Sequence, residues 1–81
     1  MTEVERNEDF IVALSKMDKS LIERVEKLVI KIIQYPELGK PMRYNRKGTR
    51  EVYAGSFRLS YAYDKENDIL YLLDIYHKDE Q

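Results

Sequence analysis

The stretch FRLSYAYDKENDILYLLDIYH, from Phe57 to His77, holds two kinds of strand pattern around one polar turn. In its first seven residues Phe57, Leu59, Tyr61 and Tyr63 alternate with Arg58, Ser60 and Ala62. That period of two sends one set of side chains to a buried face and the other to the opposite face. From Ile69 to Leu73 the stretch is apolar at every position, as suits a strand with neighbours on both sides. DKEND, residues 64–68, predicts the hairpin loop between them. An antiparallel sheet is therefore the frame.

The same alternation extends upstream. REVYA (Arg50–Ala54) predicts another strand, joined to the first by a tight turn at Gly55. MRY (Met42–Tyr44) predicts a short strand before it, and TEVERN (Thr2–Asn7), with Val4 its one apolar residue, predicts an edge strand. Between these lie two helical patterns. In EDFIVALSKM, Phe10, Ala13, Leu14 and Met17 fall at i, i+3, i+4 and i+7, behind acidic residues that suit a helix N-terminus. In DKSLIERVEKLVIKIIQYP the stripe is Leu21, Val25, Leu28 and Ile32, widened by Ile22, Val29 and Ile33. Its start is marked by Ser20 with Glu23 as a capping box or by Asp18 as the cap, and its end by Pro36. The element order predicts an α+β fold: an N-terminal helical hairpin packed on one face of a small, mainly antiparallel sheet.

At 81 residues the chain reads as one domain, 1–81, with a thin stability margin. It has no cysteine, which excludes disulfides, thiolate metal sites and cysteine nucleophiles. One histidine makes a protein-only zinc site a poor prospect, so no metal and no cofactor are expected. There is no Walker or dinucleotide pattern and no Ser/His/Asp grouping. The longest apolar run, Leu28 to Ile33, is interrupted by Lys31 and is too short to span a membrane, and the acidic N-terminus is unlike a signal peptide. A cytoplasmic protein is expected.

Charge is unevenly placed. Residues 40–58 hold Lys40, Arg43, Arg46, Lys47, Arg50 and Arg58 against Glu51 alone, a net of +5 in a chain of net −1. Such a block is either a solvated rim or a local phosphate-binding patch. Arg58 lies in mid-strand beside the small Ser60 and Ala62, where its planar fork could take a phosphate or carboxylate, or an ion pair with Glu51 or Asp74. His77, at the end of the last strand beside Lys78, is the one side chain with an ordinary pKa near 6.5, a candidate acid or base if it is not inert. Tyr53 and Tyr76 offer faces on which bases could stack, or are plain amphipathic packing.

REVYAGSFRLSYAY and ILYLLDIYHKDE, taken with the helical hairpin and the proline-bearing loop after it, resemble the RelE/ParE superfamily of toxins from bacterial and archaeal toxin–antitoxin pairs. Phe57–Arg58–Leu59 is similar to that family's aromatic–Arg–hydrophobic run, and Tyr76–His77–Lys78–Asp79 to its terminal segment. The resemblance covers nearly the whole chain. It implies a type II toxin. In its RelE-like form such a toxin is a ribosome-dependent mRNA endonuclease that blocks translation by metal-independent attack of a 2′-OH on the adjacent phosphate. It also implies a cognate, RelB-like, partly disordered antitoxin as partner, besides ribosome and mRNA. Arg58, His77 and Lys78 would then be catalytic, with Arg43, Arg46, Lys47, Arg50 and Tyr53 holding RNA. The alternative is a ParE-like toxin, a non-nuclease that binds DNA gyrase or another protein, or an inactive member. Two departures from the RelE pattern bear on the choice: Glu51 and Tyr53 occupy a strand that carries lysines in RelE, and no tyrosine follows the last strand.

Overall fold

The computed structural model describes residues 1–80, apart from the side chains of Arg46 and Glu80. Its elements follow the expected order: β1 (Glu3–Arg6), α1 (Glu8–Ser15), α2 (Lys19–Gln34), β2 (Lys40–Pro41), β3 (Arg50–Ala54), β4 (Phe57–Asp64) and β5 (Ile69–His77). The strands form one sheet in the order β1-β5-β4-β3-β2. β1 runs parallel to β5, and every other pairing is antiparallel. TEVERN thus becomes an edge strand, and α1 and α2 carry the chain between β1 and the meander.

The two helices cover one face. Phe10 of α1 and Val25, Val29 and Ile32 of α2 close onto Val52 and Ala54 of β3, Leu59 and Tyr61 of β4, and Leu70, Leu72 and Ile75 of β5. α2 is rotated slightly from the stripe the sequence suggests: Val29 is buried, whereas Leu21 and Leu28 are half-buried at its margin. Of the two candidate caps, Asp18 is the one used, its carboxylate accepting the Leu21 N–H at 2.8 Å. The helix ends where Tyr35, before Pro36, leaves helical backbone at φ −134°, ψ 80°.

Two local features differ from the sequence reading. The short strand expected at MRY forms two residues earlier, at Lys40–Pro41. Tyr44 adopts φ 60°, which breaks the extended run, and Tyr44–Arg46 make a single 3-10 turn. The second feature is a bulge in β5. Ser60 pairs with Asp74 and Tyr61 with Leu72, so Leu73 is an extra residue opposite β4. Leu70 and Leu72 point to the helices before the bulge; Ile75 does so after it. An uninterrupted alternation would have buried Asp74 and Tyr76 instead, so the bulge keeps the apolar side chain inside and reverses the faces of everything that follows.

β3 and β4 meet in a two-residue turn closed by Ala54 and Phe57, with Gly55 at φ 62°, the positive value such a hairpin demands of its first turn residue.

Candidate functional site

Partners across an antiparallel ladder share a face, so the register decides which candidates meet. Tyr53, Arg58 and Tyr76 form one row across β3, β4 and β5 on the face the helices leave uncovered. Lys40, Glu51, Ser60 and Asp74 form the next.

Arg58 is engaged within this patch. Its Nη1 lies 3.7 Å from Glu51 Oε1, and its guanidinium carbon sits 5.0 Å from the centre of the Tyr53 ring. The other carboxylate oxygen of Glu51 accepts a hydrogen bond from the Tyr76 hydroxyl. Glu51 is only 3% exposed, the sole buried charged residue among those described. A carboxylate at that depth needs a cation and a donor close by to offset its lost hydration. Arg58 and Tyr76 provide them. Of the two readings open for Arg58, the ion pair with Glu51 is formed.

His77 is elsewhere. It pairs with Phe57, and the two rings meet edge to face at 5.3 Å between centroids. Phe57 is on the helix side with Leu59, so His77 is too, on the opposite side of the sheet from Arg58. The β5 bulge is the cause. The imidazole borders a hollow of about 790 Å³ between α1 and the last part of β5, with Glu8 and Asp9 on its far wall. Its Nδ1 accepts the Asp79 N–H at 3.3 Å.

Arg50 also leaves the patch. It pairs with Tyr61 on the helix side, and its Nη1 donates to the carbonyls of Glu37 (3.2 Å) and Gly39 (2.8 Å). Lys78 is exposed in a 3-10 turn, its N–H bound to the Ser56 carbonyl at 2.9 Å. Arg43 and Lys47 are exposed on the loop between β2 and β3, and the Arg46 side chain lies outside the described residues. The structure therefore does not bring all the candidate catalytic and RNA-holding residues together. Arg58 and Tyr53 stay together, while Arg50 and His77 are turned away by register. No group of three His, Asp or Glu among the described residues could hold a metal ion, and no helix among them is long and apolar enough to cross a membrane.

No catalytic or RNA-holding role falls to Glu51 or Tyr76 from the resemblance, yet both contact the Arg58 cluster. Glu51 was legible as a neighbour of Arg58, being two residues from Tyr53 on the same face. Tyr76 was not, because its face depends on the bulge.

In solved structures, the chain is similar to the toxin–antitoxin complex RelBE2 from Mycobacterium tuberculosis, with TM-score 0.85 and 24% identity over 94% of this chain and 96% of that one. It is similar to the YoeB/ParE toxin from Agrobacterium tumefaciens (TM-score 0.81, 14% identity, 94% and 98% covered). The isolated RelE toxin of E. coli gives TM-score 0.80 and 11% identity, with 95% and 84% covered. At these identities the likeness is one of fold. No curated protein sequence matches the chain. The sequence pattern described as ParE toxin of type II toxin–antitoxin system matches residues 2–81. With two helices on a mainly antiparallel sheet and a match along almost its full length, the chain belongs to the ParE toxin family of type II toxin–antitoxin systems, within the RelE/ParE superfamily.

Proposed function

We propose that this toxin acts by docking on a protein target, as ParE-like members do on DNA gyrase, and not by cutting RNA. The observation that carries the reading is the engagement of Arg58 by Glu51 and Tyr53. Attack of a 2′-OH on phosphate needs, within one site, a cation free to follow the growing negative charge, a base beside the 2′-OH and an acid opposite it, beside the leaving 5′ oxygen. A guanidinium beside a buried carboxylate is already neutralised, and phosphate approaching it meets that carboxylate as well. The candidate acid–base residue, His77, is on the other face, and Arg50 is occupied by loop carbonyls. The open face instead offers an aromatic and polar surface of Tyr53, Arg58 and Tyr76, residue types that suit a protein interface.

A cognate antitoxin, partly disordered before binding, is the expected second partner. The RelBE2 structure, a toxin–antitoxin complex, supports this by analogy of fold. The test is induced expression of the chain alone and with the neighbouring open reading frame. Primer extension on cellular messages, DNA-damage induction and a gyrase supercoiling assay with purified protein are read in parallel. Intact messages with DNA damage and inhibited supercoiling are expected, relieved by the antitoxin. Cleavage of messages at translated codons with intact DNA would sink the reading.

A further inference from the structure

Where the chain leaves α2, a separate hollow of about 500 Å³ opens between the end of that helix and the sheet. Its two walls differ in chemistry. The helix wall runs from Gln34 to Glu37 and presents Tyr35, 65% exposed. The sheet wall carries Arg50 at the start of β3, Tyr63 near the end of β4 and Lys65 in the hairpin loop that follows. Gly48 borders it without filling it: no described atom lies within 4 Å of where a side chain on Gly48 would begin.

The sheet wall is held in place by its own hydrogen bonds. The Tyr63 hydroxyl donates to Asp68 Oδ1 at 2.6 Å, which fixes the ring. Arg50 Nη1 donates to the Glu37 and Gly39 carbonyls at 3.2 and 2.8 Å. Those carbonyls orient the guanidinium through one nitrogen and leave its positive charge whole, because a carbonyl brings no net charge. Nε and Nη2 carry its other three N–H groups. The ion pairs of the described residues engage neither Arg50 nor Lys65. The helix wall has the reverse polarity: Glu37 lies on it, and α2 ends there with the negative end of its dipole.

We propose that this hollow binds a small aromatic anion, a planar ring carrying one carboxylate or phosphate. The anionic group sits on Arg50 and Lys65, and the ring lies against Tyr63 and Tyr35. A planar guanidinium fork suits either group, and tyrosine faces take an aromatic ring by offset or edge contact. The polarity of the walls sets the orientation. The anion is repelled from Glu37 and the helix end and turns to the sheet wall, while hydrogen-bond donors on the ring meet the helix end. A hollow of this volume, with rings on both walls and few polar groups, has the make-up of a small-molecule site. A ligand held there ties the end of α2 to β3 and β4, so its binding stabilises the folded chain. The hollow is on the opposite side of the sheet from Tyr53 and Arg58, so the inference does not rest on how the toxin attacks its target.

The test titrates the full chain with adenosine 5′-monophosphate and with indole-3-acetate, two sources of this chemistry, and follows amide chemical shifts and the melting temperature. The neutral rings adenosine and indole and the bare anions phosphate and acetate are the controls. At least one ring-bearing anion should bind about tenfold or more tightly than its ring or its anion alone, and the tighter of the two identifies the source. Shifts centred on residues 34–37, 48–50 and 63–65 are expected, with a raised melting temperature and weaker binding as salt rises. Arg50 also holds the loop, so the variants are placed on exposed side chains. Lys65→Glu and Tyr35→Ala should each weaken binding about tenfold and leave the circular dichroism spectrum unchanged. No binding of either anion at millimolar concentration, equal affinity for the neutral ring, wild-type affinity in either variant, or shifts centred on Tyr53 and Arg58 would overturn the proposal. So would an RNA oligonucleotide that binds these residues more tightly than the mononucleotide, since that marks a polynucleotide surface.

Discussion

The Tyr61 hydroxyl accepts the Gly39 N–H at 2.8 Å and donates to the Pro36 carbonyl at the same distance. A residue at the centre of the sheet thus holds both ends of the loop that leaves α2, and Arg50 secures its carbonyls from the side. The approach is so close that a Cβ on Gly39 would sit 2.8 Å from the Tyr61 ring and 2.9 Å from the Glu51 carbonyl oxygen, inside contact distance. Tyr61→Phe leaves the Gly39 donor and the Pro36 acceptor without this partner and should cost about 1–3 kcal/mol in urea unfolding. Gly39→Ala, which forces the loop away from the strand, should cost a similar amount, roughly 1–3 kcal/mol.

The same hydroxyl gives stability an alkaline edge. Burial, opposed by the Gly39 hydrogen bond and by Arg50, raises the Tyr61 pKa above its ordinary 10.0. The folded state therefore holds this proton more tightly than the unfolded one. Its stabilising contribution is complete below pH 10 and is lost as pH rises through the folded pKa. Unfolding free energy should fall above pH 10, and less steeply in Tyr61→Phe. Tyr63, raised by its hydrogen bond to Asp68, contributes with the same sign and remains in that variant. Equal alkaline slopes in the two proteins would contradict the role assigned to Tyr61.

On α2, Ile32→Ala removes a fully buried side chain and should cost about 2–5 kcal/mol, enough to unfold a domain of this size. Leu28→Ala, at the half-buried margin, should cost distinctly less. Denaturant midpoints of the two variants make the comparison.

Arg58→Ala removes the Arg58 guanidinium from beside the buried Glu51 carboxylate and should destabilise the fold by about 1–3 kcal/mol. Adding Glu51→Gln should recover part of that loss, giving a measurable coupling in a double-mutant cycle. If Arg58→Ala keeps full stability yet abolishes toxicity, the guanidinium acts on a target and not on Glu51.

Deleting Leu73 removes the extra residue of β5 without changing the face of any other. The shortened chain should fold with Arg58 still beside Tyr76 and Phe57 beside His77, as read by cross-strand nuclear Overhauser effects. Loss of either contact would show that the bulge does more than absorb one residue.

Local chemistry made much of this fold legible in the sequence. The alternation from Phe57 to Tyr63 assigns each side chain of β4 to its face, because a strand's period is a property of its own backbone. The ends of α2 are equally local: Asp18 reaches an N–H three residues on, and Pro36 restricts the residue before it. Tertiary structure decided what depends on a second element. The bulge at Leu73 exists because β5 must match β4 while burying Ile75, and it sends His77 to one face and Tyr76 to the other. The pairing of Arg58 with Glu51 needs the register of β3 against β4, and the Tyr61–Gly39 contact joins residues 22 positions apart. A single-residue slip inverts every face beyond it, so composition and period could name the charged side chains of this toxin, but only packing could say which of them meet.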